Sequence, residues 1–574
     1  MKNYIGLATS PHDPSLAIVS GSGDVLYAEA AERPLQSKRA WGAVPDHINY
    51  IDRLVRQYCD PKLDTIIGVS WSRHVTRRYL TFLPLLNYRI RRATTAYRRR
   101  LLLLKYLILT HGSVHTIATI GLEAALAGHG KHVKKQYYDH HLTHAATSAF
   151  ASPFHSGLCV VADGFGEGSS LAAYELRDRR LLPIKGVYAP ISASLGGFYS
   201  VMCDICGFDI MRGEEWKVMG LASFGKVDQR LYDLIRPIIR VNGLRLEKGR
   251  KLGAIYNELN ALRRKPETPA IEYADFAATV QFIFSETLYA LLRNLHGLGI
   301  SDNLLLSGGC ALNSSTNGGI LENTPFKSLF VSSAPADDGN ALGAALLACY
   351  TENPKIDARR DALSPYLGSD MKENGQHNLR RFCGLHARQL DDTALFAMTA
   401  QAIADGQIIG WVQGRAEFGP RALGNRSILA DPRDVTVKER INAKVKFREE
   451  FRPFAPSILH ERGNDYFECY QFSPYMERTL RFRKPICLKV PGVVHVDGTG
   501  RLQSVTESLN PRYYRLLKEF EAITGIPLLL NTSFNVMGKP IIDSVEDAVA
   551  VFQTSGLDAL VVGNMFYSKV ANPI

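Results

Sequence analysis

The chain has 574 residues, of which 46% are hydrophobic and 22% charged, so it is long enough for two or more domains with their own cores. These values exclude disorder, collagen and coiled coil as the main architecture. The formal net charge of +12 is modest for this length and suits a protein that binds small anions better than one that binds nucleic acid.

Two segments of the N-terminal half share one pattern of buried strand, polar turn and buried strand. The pattern occupies residues 4–7, 10–14 and 15–19 in the first copy, and 158–162, 163–168 and 170–174 in the second. Two such copies predict a duplicated α/β domain. Glycines let backbone N–H groups converge on an anion, so the two turns are expected to bind phosphate and to face each other across a cleft.

The segment between the two copies contains the most apolar run outside the predicted strands, residues 101–109, which follows basic runs at 89–92 and 98–100. This nine-residue run contains Lys105 and is too short to span a bilayer, which favours an amphipathic surface helix. The alternative is a helix that binds a membrane surface or nucleic acid. The first residues contain no long apolar signal region.

Cysteine usage indicates reduced thiols and a cytosolic protein. The nine cysteines are scattered, and Cys203 and Cys206 form a Cys-x-x-Cys pair with no second pair to complete a zinc site.

Two further turns follow predicted strands. The apolar residues 304–306 lead into Ser307-Gly308-Gly309, a junction that suits nucleotide phosphate or ribose, and Asp337-Asp338 precede a helix of small residues. Residues from about 354 to 378 are rich in turn-forming and polar types and predict a linker. Beyond it, the sequence predicts a helix at 391–404, a strand at 408–412 and a last αβ unit at 526–562.

His140 and His144 are the sharpest pair of candidate metal ligands. A spacing of four places both imidazoles on one face of a helix, where they can share a metal. A carboxylate from Asp163, Asp337 or Asp338 would complete the site, and this donor set favours iron, manganese or zinc over calcium. The alternative is a pair of structural histidines at the start of a helix.

His12 lies in the first polar turn and faces the expected cleft. Its ordinary pKa is near neutral, so it could accept a proton from a substrate hydroxyl. The alternative is a turn residue that hydrogen-bonds the backbone.

The last third of the chain is basic. Arg421, Lys446, Arg448 and Arg452 are interleaved with glycine, proline and serine, a context in which guanidinium groups bind oxyanions rather than form solvated helix faces. Such a cluster predicts either a site for a small phosphorylated substrate or an RNA-binding patch. The rigid Pro453-Phe-Ala-Pro456 segment favours a preformed small pocket.

Seven motifs in order give the chain its resemblance to the O-carbamoyltransferases of antibiotic biosynthesis and nodulation. They are HHLTHAA at 140–146, VVADGFGE at 160–167, EWKVMGLA at 215–222, SGGCALN at 307–313, GPRALGNRSILA at 419–430, FRPFAP at 451–456 and NTSFN at 531–535. The resemblance covers nearly the whole chain.

The resemblance implies an α/β fold: a duplicated, actin-like (Kae1-like) domain at 1–355 and a YrdC-like domain at 375–574. It also implies a reaction in which carbamoyl phosphate and ATP give a carbamoyl adenylate in the second domain. The adenylate then passes to the first domain, where a hydroxyl of a secondary metabolite attacks its carbonyl carbon. A relative that makes the threonylcarbamoyl modification of tRNA is the alternative.

The resemblance assigns roles to residues by motif position. His12 is the implied general base, and Arg421, Lys446 and Arg452 are the implied catalytic cations. The implied metal ligands are His140, His144, Asp163 and Asp338, with Asp337 as the substitute. The implied cofactor-binding residues are Gly164, Gly166, Lys217, Gly220, Ser307, Gly308, Gly309, Asn313, Arg501, Ser533 and Asn535.

The implied cofactors are ATP with Mg²⁺ and a divalent metal, iron(II) first, with manganese or zinc as alternatives. The implied setting is cytoplasmic, without nucleic acid or membrane partners and with a homodimer as one option. Residues 31–41 and 72–112 depart from the family pattern and are expected to shape the acceptor pocket.

Overall fold

The computed structural model describes residues 2–72, 83–92, 95–127, 132–356, 361–371, 386–449 and 451–569. Buried β-strands alternate with helices along the chain, which gives a mixed α/β fold. The strands are β1 Asn3–Ala8, β2 Ser15–Val19, β3 Val25–Ala30, β4 Thr65–Ser70, β5 Val133–Tyr138, β6 Ser156–Ala162, β7 Leu171–Arg177, β8 Arg180–Pro183, β9 Ile239–Asn242, β10 Arg245–Lys248, β11 Asn303–Ser307, β12 Ser328–Val331, β13 Tyr366–Asp370, β14 His386–Gln389, β15 Ile409–Val412, β16 Arg415–Glu417, β17 Arg426–Ala430, β18 Ala455–Leu459, β19 Arg478–Arg481, β20 Thr499–Val505, β21 Leu528–Ser533, β22 Ala559–Val562 and β23 Met565–Ser568. The described helices of seven residues or more are α1 Ile48–Tyr58, α2 Leu83–Arg92, α3 Thr95–Ile117, α4 Ile120–Leu126, α5 His140–Ala151, α6 Leu195–Ile205, α7 Glu215–Ala222, α8 Gln229–Ile235, α9 Leu252–Ala261, α10 Ala274–His296, α11 Ser314–Asn323, α12 Asn340–Glu352, α13 Asp392–Ala404, α14 Pro511–Thr524 and α15 Val545–Thr554.

Two five-stranded sheets repeat one topology. The first has the order β3-β2-β1-β4-β5 and the second the order β8-β7-β6-β11-β12. In each, three strands form an antiparallel meander and the next two pair in parallel. Short polar turns permit the hairpins, whereas the parallel pairs need longer crossovers that contain helices. The duplicated α/β core predicted from the repeated pattern is confirmed.

The chain divides into two compact units, each drawn from several segments. Unit 1 comprises residues 1–194, 300–310 and 328–363 and contains both five-stranded sheets; unit 2 comprises residues 195–299, 311–327 and 364–574. Contiguous functional domains at 1–355 and 375–574 remain a prediction. The predicted linker at 354–378 falls partly on residues 357–360 and 372–385, which lie outside the described residues.

Unit 2 is built around a nine-stranded mixed sheet with the order β14-β23-β22-β15-β17-β21-β18-β20-β19. Its core combines the apolar faces of α13, α14 and α15 with central strands that are buried almost completely. The predicted helix at 391–404 is α13, which begins after Asp391 because the Asp391 carboxylate accepts the backbone N–H of Ala394. The predicted strand at 408–412 is β15, and the predicted αβ unit at 526–562 begins with β21.

The apolar run at 101–109 belongs to a longer helical segment than the sequence suggested. Helix α3 continues to Ile117 and α4 follows directly, so the segment Leu101–Leu126 is long and apolar enough to cross a bilayer by length and composition. The argument that the run is too short is therefore wrong, because the helix extends past the leucines. The arginine side chains of both basic runs and residues 73–82 and 93–94 lie outside the described residues.

Candidate functional site

Helix α5 brings His140 and His144 together in unit 1. The helix starts at His140 because the Asp139 carboxylate accepts the backbone N–H of Leu142. The two imidazole rings lie 4.7 Å apart, nearly perpendicular, and both are buried. The predicted placement on one helix face is confirmed.

Two carboxylates complete a compact cluster with these histidines. The Nε2 atom of His140 lies 3.4 Å from Oδ2 of Asp163 and 3.6 Å from Oδ1 of Asp337. The corresponding distances from Nε2 of His144 are 3.8 and 3.3 Å. Four ligand atoms, one from each residue, lie within 4.8 Å of one another, which suits one divalent metal ion with nitrogen and oxygen ligands.

The fourth residue of this cluster is Asp337, where the family pattern had pointed to Asp338. Both follow β12 in the short helical turn Asp337–Gly339, but only the Asp337 carboxylate faces the imidazoles. Burial, together with the nearby carboxylates of Asp13, Glu32 and Asp337, raises the pKa of Asp338 to about 8. Asp338 therefore occupies an acidic environment beside the cluster rather than a position in it.

Charge pairing sets the protonation of the cluster. Burial alone would raise the pKa of Asp163, but the imidazoles of His140 and His144 hold it far below its usual range. Burial likewise opposes the charge on His140, yet the carboxylates of Asp337 and Asp163 raise its pKa. The anionic carboxylates thus attract a cation, either a proton on an imidazole or a metal ion.

Glycines let two backbone turns approach Asp163. The Gly309 N–H donates to Oδ1 of Asp163 at 2.9 Å, and Gly308 has a φ of 86°. A Cβ atom at Gly308 would lie 2.3 Å from the carbonyl oxygen of Ala162, and one at Gly166 would lie 2.3 Å from Nε2 of His141. A side chain at Gly166 or Gly308 would clash with its neighbours, and the N–H of Gly309 binds Asp163. All three predicted glycines therefore lie beside the cluster.

Gly164 and Ser307 are the remaining predicted residues of these turns. A Cβ at Gly164 would meet no atom within 4 Å, and Ser307, the last residue of β11, is buried. Their predicted contact with a nucleotide stays a prediction.

His12 lies at the edge of the cluster. Its Nδ1 atom is 2.9 Å from Oδ2 of Asp13, 2.8 Å from Nη2 of Arg39 and 3.9 Å from Oδ2 of Asp337. The Arg39 guanidinium, with its positive charge, and His12 keep Asp13 ionised against the effect of burial. The side chain of His12 is 28% exposed, so a substrate can reach it.

Unit 2 brings Lys446, Ser533 and Asn535 together. The ammonium group of Lys446 donates to Oδ1 of Asn535 at 2.7 Å, to the hydroxyl of Ser533 at 3.2 Å and to the backbone oxygen of Ser533. Ser533 ends β21 and lies where that strand leaves the sheet. Burial and the charges of Arg448 and Arg452 hold the pKa of Lys446 well below its usual range.

Three arginines form the rest of this cation group. Burial lowers the pKa of Arg501 strongly, and the charges of Arg421 and Arg448 lower it further. Burial also lowers the pKa of Arg421 to about 10 and that of Arg448 to about 9. The charges of Arg421 and Arg448 thus act on Arg501, and a bound anion such as phosphate would relieve that repulsion.

The loop that carries Arg421 is shaped by a buried carboxylate. Oε1 of Glu417 accepts the backbone N–H groups of Leu423 and Asn425, at 2.8 and 2.7 Å, and that of Arg426 at 3.1 Å. Arg426, by contrast, is fully buried in β17 and donates to the backbone oxygens of Gln413 and Gly414. Its role is therefore structural, although its sequence context matches that of Arg421.

Lys217 and Arg452 meet at one carboxylate in unit 2. Glu449 accepts from Lys217 at 2.9 Å and pairs with Arg452, whose guanidinium carbon lies 4.5 Å from the ring centroid of Trp216. Gly220 lies on the same helix, and a Cβ there would be 3.3 Å from Pro453. The FRPFAP segment and α7 are thus packed together.

Asn313, predicted to bind a cofactor, caps α11. Its side-chain oxygen accepts the N–H of Thr316 at 3.0 Å, and its amide nitrogen donates to Gln281. A helix cap explains this residue type at this position, and cofactor binding remains a prediction.

The sequence places Arg448 in the predicted cation cluster but does not single it out, although its spacing of two from Lys446 is a usable signal. It does not predict the contacts of Asn340 and Trp71 with the histidines. Asn340 contacts both imidazoles, and Trp71 stacks on His140 with a centroid distance of 4.2 Å. Trp71 follows β4 directly, and a large aromatic residue at a strand end was the available signal.

A His/Asp cluster in the duplicated α/β core and a half-buried cation group in the other unit suit an enzyme that transfers a group from an anionic donor. Comparison of the chain with models of protein families identifies the enzyme class. The model of the carbamoyltransferase N-terminus matches residues 3–346, and that of the carbamoyltransferase C-terminus matches residues 400–569. The chain belongs to the carbamoyltransferase family and is an enzyme that transfers carbamoyl groups.

Individual relatives agree with this assignment. Nodulation protein NolNO of Sinorhizobium fredii is 38% identical over 75% of this chain and 64% of its own length. Nodulation protein NolO of Bradyrhizobium diazoefficiens is 36% identical over 75% and 79%, respectively. The 3'-hydroxymethylcephem-O-carbamoyltransferase of Amycolatopsis lactamdurans is 36% identical over 46% of this chain and 49% of its own length.

Solved structures show only distant similarity. HypF of T. kodakarensis has a TM-score of 0.33 and 14% identity, and the alignment covers 61% of this chain and 48% of that chain. A full-length HypF in its phosphate- and nucleotide-bound form has a TM-score of 0.32 and 13% identity, with 62% and 56% covered.

Proposed function

We propose that this chain is an ATP-dependent O-carbamoyltransferase that uses its two groups of site residues for two successive reactions. The observation that carries the proposal is that a carbamoyltransferase chain holds both a half-buried cation group around the buried Lys446 and, in its other unit, a His/Asp cluster beside an accessible histidine. The first suits phosphate chemistry and the second suits acyl transfer to a hydroxyl.

The first reaction forms carbamoyl adenylate. Water releases phosphate from carbamoyl phosphate to leave carbamate, and a carbamate oxygen attacks the α-phosphorus of ATP while pyrophosphate leaves. Arg421, Arg448, Arg501 and Lys446 offset the charge that develops on the phosphates, with Mg²⁺ accompanying ATP. Ser533 and Asn535 hold the Lys446 ammonium in place through the hydrogen bonds described above.

The second reaction transfers the carbamoyl group. The acceptor hydroxyl oxygen attacks the adenylate carbonyl carbon, AMP leaves, and the hydroxyl proton passes to His12. In the tautomer whose Nδ1–H donates to Asp13, the Nε2 atom of His12 has a free lone pair for that proton. A divalent iron, manganese or zinc ion bound by His140, His144, Asp163 and Asp337 would supply Lewis acidity toward the adenylate phosphate.

The proposal also includes the predicted domain likenesses, the predicted acceptor and the predicted location. The duplicated core is Kae1-like and the C-terminal domain YrdC-like, and the acceptor is a hydroxyl-bearing secondary metabolite rather than tRNA. A cytoplasmic location is supported by the described cysteines, all eight of which are free thiols; Cys383 lies outside the described residues.

The test separates the two reactions. The protein is incubated with ATP, carbamoyl phosphate and Mg²⁺, and pyrophosphate release is measured. We expect His144→Ala to retain pyrophosphate release but to lose transfer, measured as the mass gain of one carbamoyl group on hydroxyl-bearing natural products. We expect Arg501→Met to lose both reactions. Arg481→Met, an exposed arginine on the neighbouring strand β19, is the matched control and should retain both. Folded wild-type protein that releases no pyrophosphate would refute the adenylate mechanism.

A further inference from the structure

Asn340 occupies a central position in the His/Asp cluster. It is the first residue of α12, follows the Asp337–Gly339 turn directly and is fully buried. Its amide nitrogen lies 3.3 Å from Nδ1 of His140 and 3.2 Å from Nε2 of His144. Its amide oxygen is buried without a hydrogen-bond partner among the described residues. A single amide therefore touches both imidazoles.

The positions of the ring protons decide what this amide can do. Nε2 of His140 faces the carboxylates of Asp163 and Asp337, so it is the nitrogen that would bind a metal. A neutral imidazole that binds through Nε2 carries its proton on Nδ1. This Nδ1–H would point at Asn340 and requires an acceptor there. Rotation of the amide by half a turn places its oxygen where its nitrogen now lies.

Trp71 fixes the same ring in a second way. Its indole stacks on His140 at 4.2 Å, and the indole N–H donates to the hydroxyl of Ser10 at 3.2 Å. The φ of Trp71 is 79°, a strained conformation for a bulky residue. Strain of this kind persists only where the surroundings impose it, so the position of the His140 ring plane is built into the fold.

We propose that Asn340 is a positioning residue of the metal centre. With a divalent metal in the cluster, its amide oxygen accepts the Nδ1 proton of His140 and directs Nε2 toward the ion, while Trp71 holds the ring plane. The inference rests on the metal site of the proposed function but on neither of its reactions.

The experiment measures the binding of Co²⁺ alone to the full chain, without substrates, by calorimetry and by the visible absorption of the bound ion. Asn340→Leu removes the acceptor at similar volume and should weaken Co²⁺ binding by about 10- to 100-fold, with an altered absorption band. Asn340→Asp keeps an acceptor and should bind Co²⁺ at least as tightly as the wild type. Asn3→Leu alters another buried asparagine of unit 1, one that hydrogen-bonds Asp60, and should leave the affinity unchanged.

Each outcome has one meaning. Equal affinity of Asn340→Leu and the wild type would overturn the role of Asn340 and leave the metal site intact. Should Asn340→Leu fail to fold by circular dichroism, tenfold weaker binding by Asn340→Asp would overturn the role instead. A wild-type protein that binds no Co²⁺ would overturn this role together with the metal site, whereas pyrophosphate release would still report on the reaction of unit 2.

Discussion

Gly308 offers a sharp test of how the fold holds the His/Asp cluster. It follows β11, donates its N–H to the carbonyl oxygen of Pro335 at 2.8 Å and has a φ of 86°. In Gly308→Ala, the new Cβ would lie 2.3 Å from the carbonyl oxygen of Ala162, the residue before Asp163. Real Cβ contacts essentially never fall below 3.0 Å, so the backbone of β6 must move by about 0.7 Å or more relative to β11.

The expected magnitude has two parts. The left-handed backbone costs an alanine roughly 1–2 kcal/mol, and relief of the backbone clash costs roughly a further 1–3 kcal/mol. Gly186→Ala isolates the first part, because Gly186 has a φ of 87°, lies in the same unit and has open space around its would-be Cβ. Gly308→Ala should therefore lose about 2–5 kcal/mol of unfolding free energy and Gly186→Ala about 1–2 kcal/mol.

Urea denaturation followed by circular dichroism measures both losses, and Mn²⁺ calorimetry measures the state of the cluster. We expect Gly308→Ala to weaken Mn²⁺ binding, since a shift of Ala162 carries Asp163 with it, while Gly186→Ala binds normally. If the two variants lose the same stability and retain the same Mn²⁺ affinity, the argument from close backbone approach is incorrect.

The remaining predictions concern individual side chains. Asp337→Asn should lower Mn²⁺ affinity more than about tenfold, whereas Asp338→Asn should change it less than about threefold, as measured by calorimetry; the reverse order would restore Asp338 as the ligand. Arg501→Met should lower pyrophosphate release by at least about 100-fold yet raise the urea midpoint, because it removes a charge that Arg421 repels; a large loss of stability would contradict the anion-site interpretation. Burial lowers the pKa of His495 to about 4, so below pH 6.5 the unfolded chain binds a proton that the folded chain excludes. Wild-type stability should thus fall between pH 6.5 and pH 4 by up to about 1.4 kcal/mol per pH unit, and His495→Gln should show a shallower fall in urea titrations at stepped pH; parallel pH profiles would exclude this contribution.

The parts of the fold that follow local rules were predictable from the sequence. The strands at 4–7 and 158–162 are apolar runs bounded by turn residues, and both occur where expected. His140 and His144 share a helix face because the helical period alone brings residues four apart together. The duplicated sheet followed from the same turn chemistry appearing twice.

The unpredicted parts depend on contacts between distant segments. Asp337 and Asp338 are adjacent acidic residues in a 3₁₀ turn, and the rotation of about 120° between them decides which carboxylate faces the histidines. Arg421 and Arg426 share one glycine-rich loop, yet the pairing of β17 with β15 and β21 buries Arg426 and leaves Arg421 for the cation group. The contacts of Asn340 and Trp71 with His140 join residues separated by 200 and 69 positions and leave no local pattern.

The segmented course of the chain limits how the enzyme can be dissected. The polypeptide passes from one compact unit to the other at residues 194, 299, 310, 327 and 363, so neither unit is a continuous stretch. A fragment that ends near residue 360 would retain Trp216 and Lys217 while losing Glu449 and Arg452, the groups they contact. The two half-reactions therefore have to be separated by point substitutions, because no single cut in the polypeptide yields either compact unit intact.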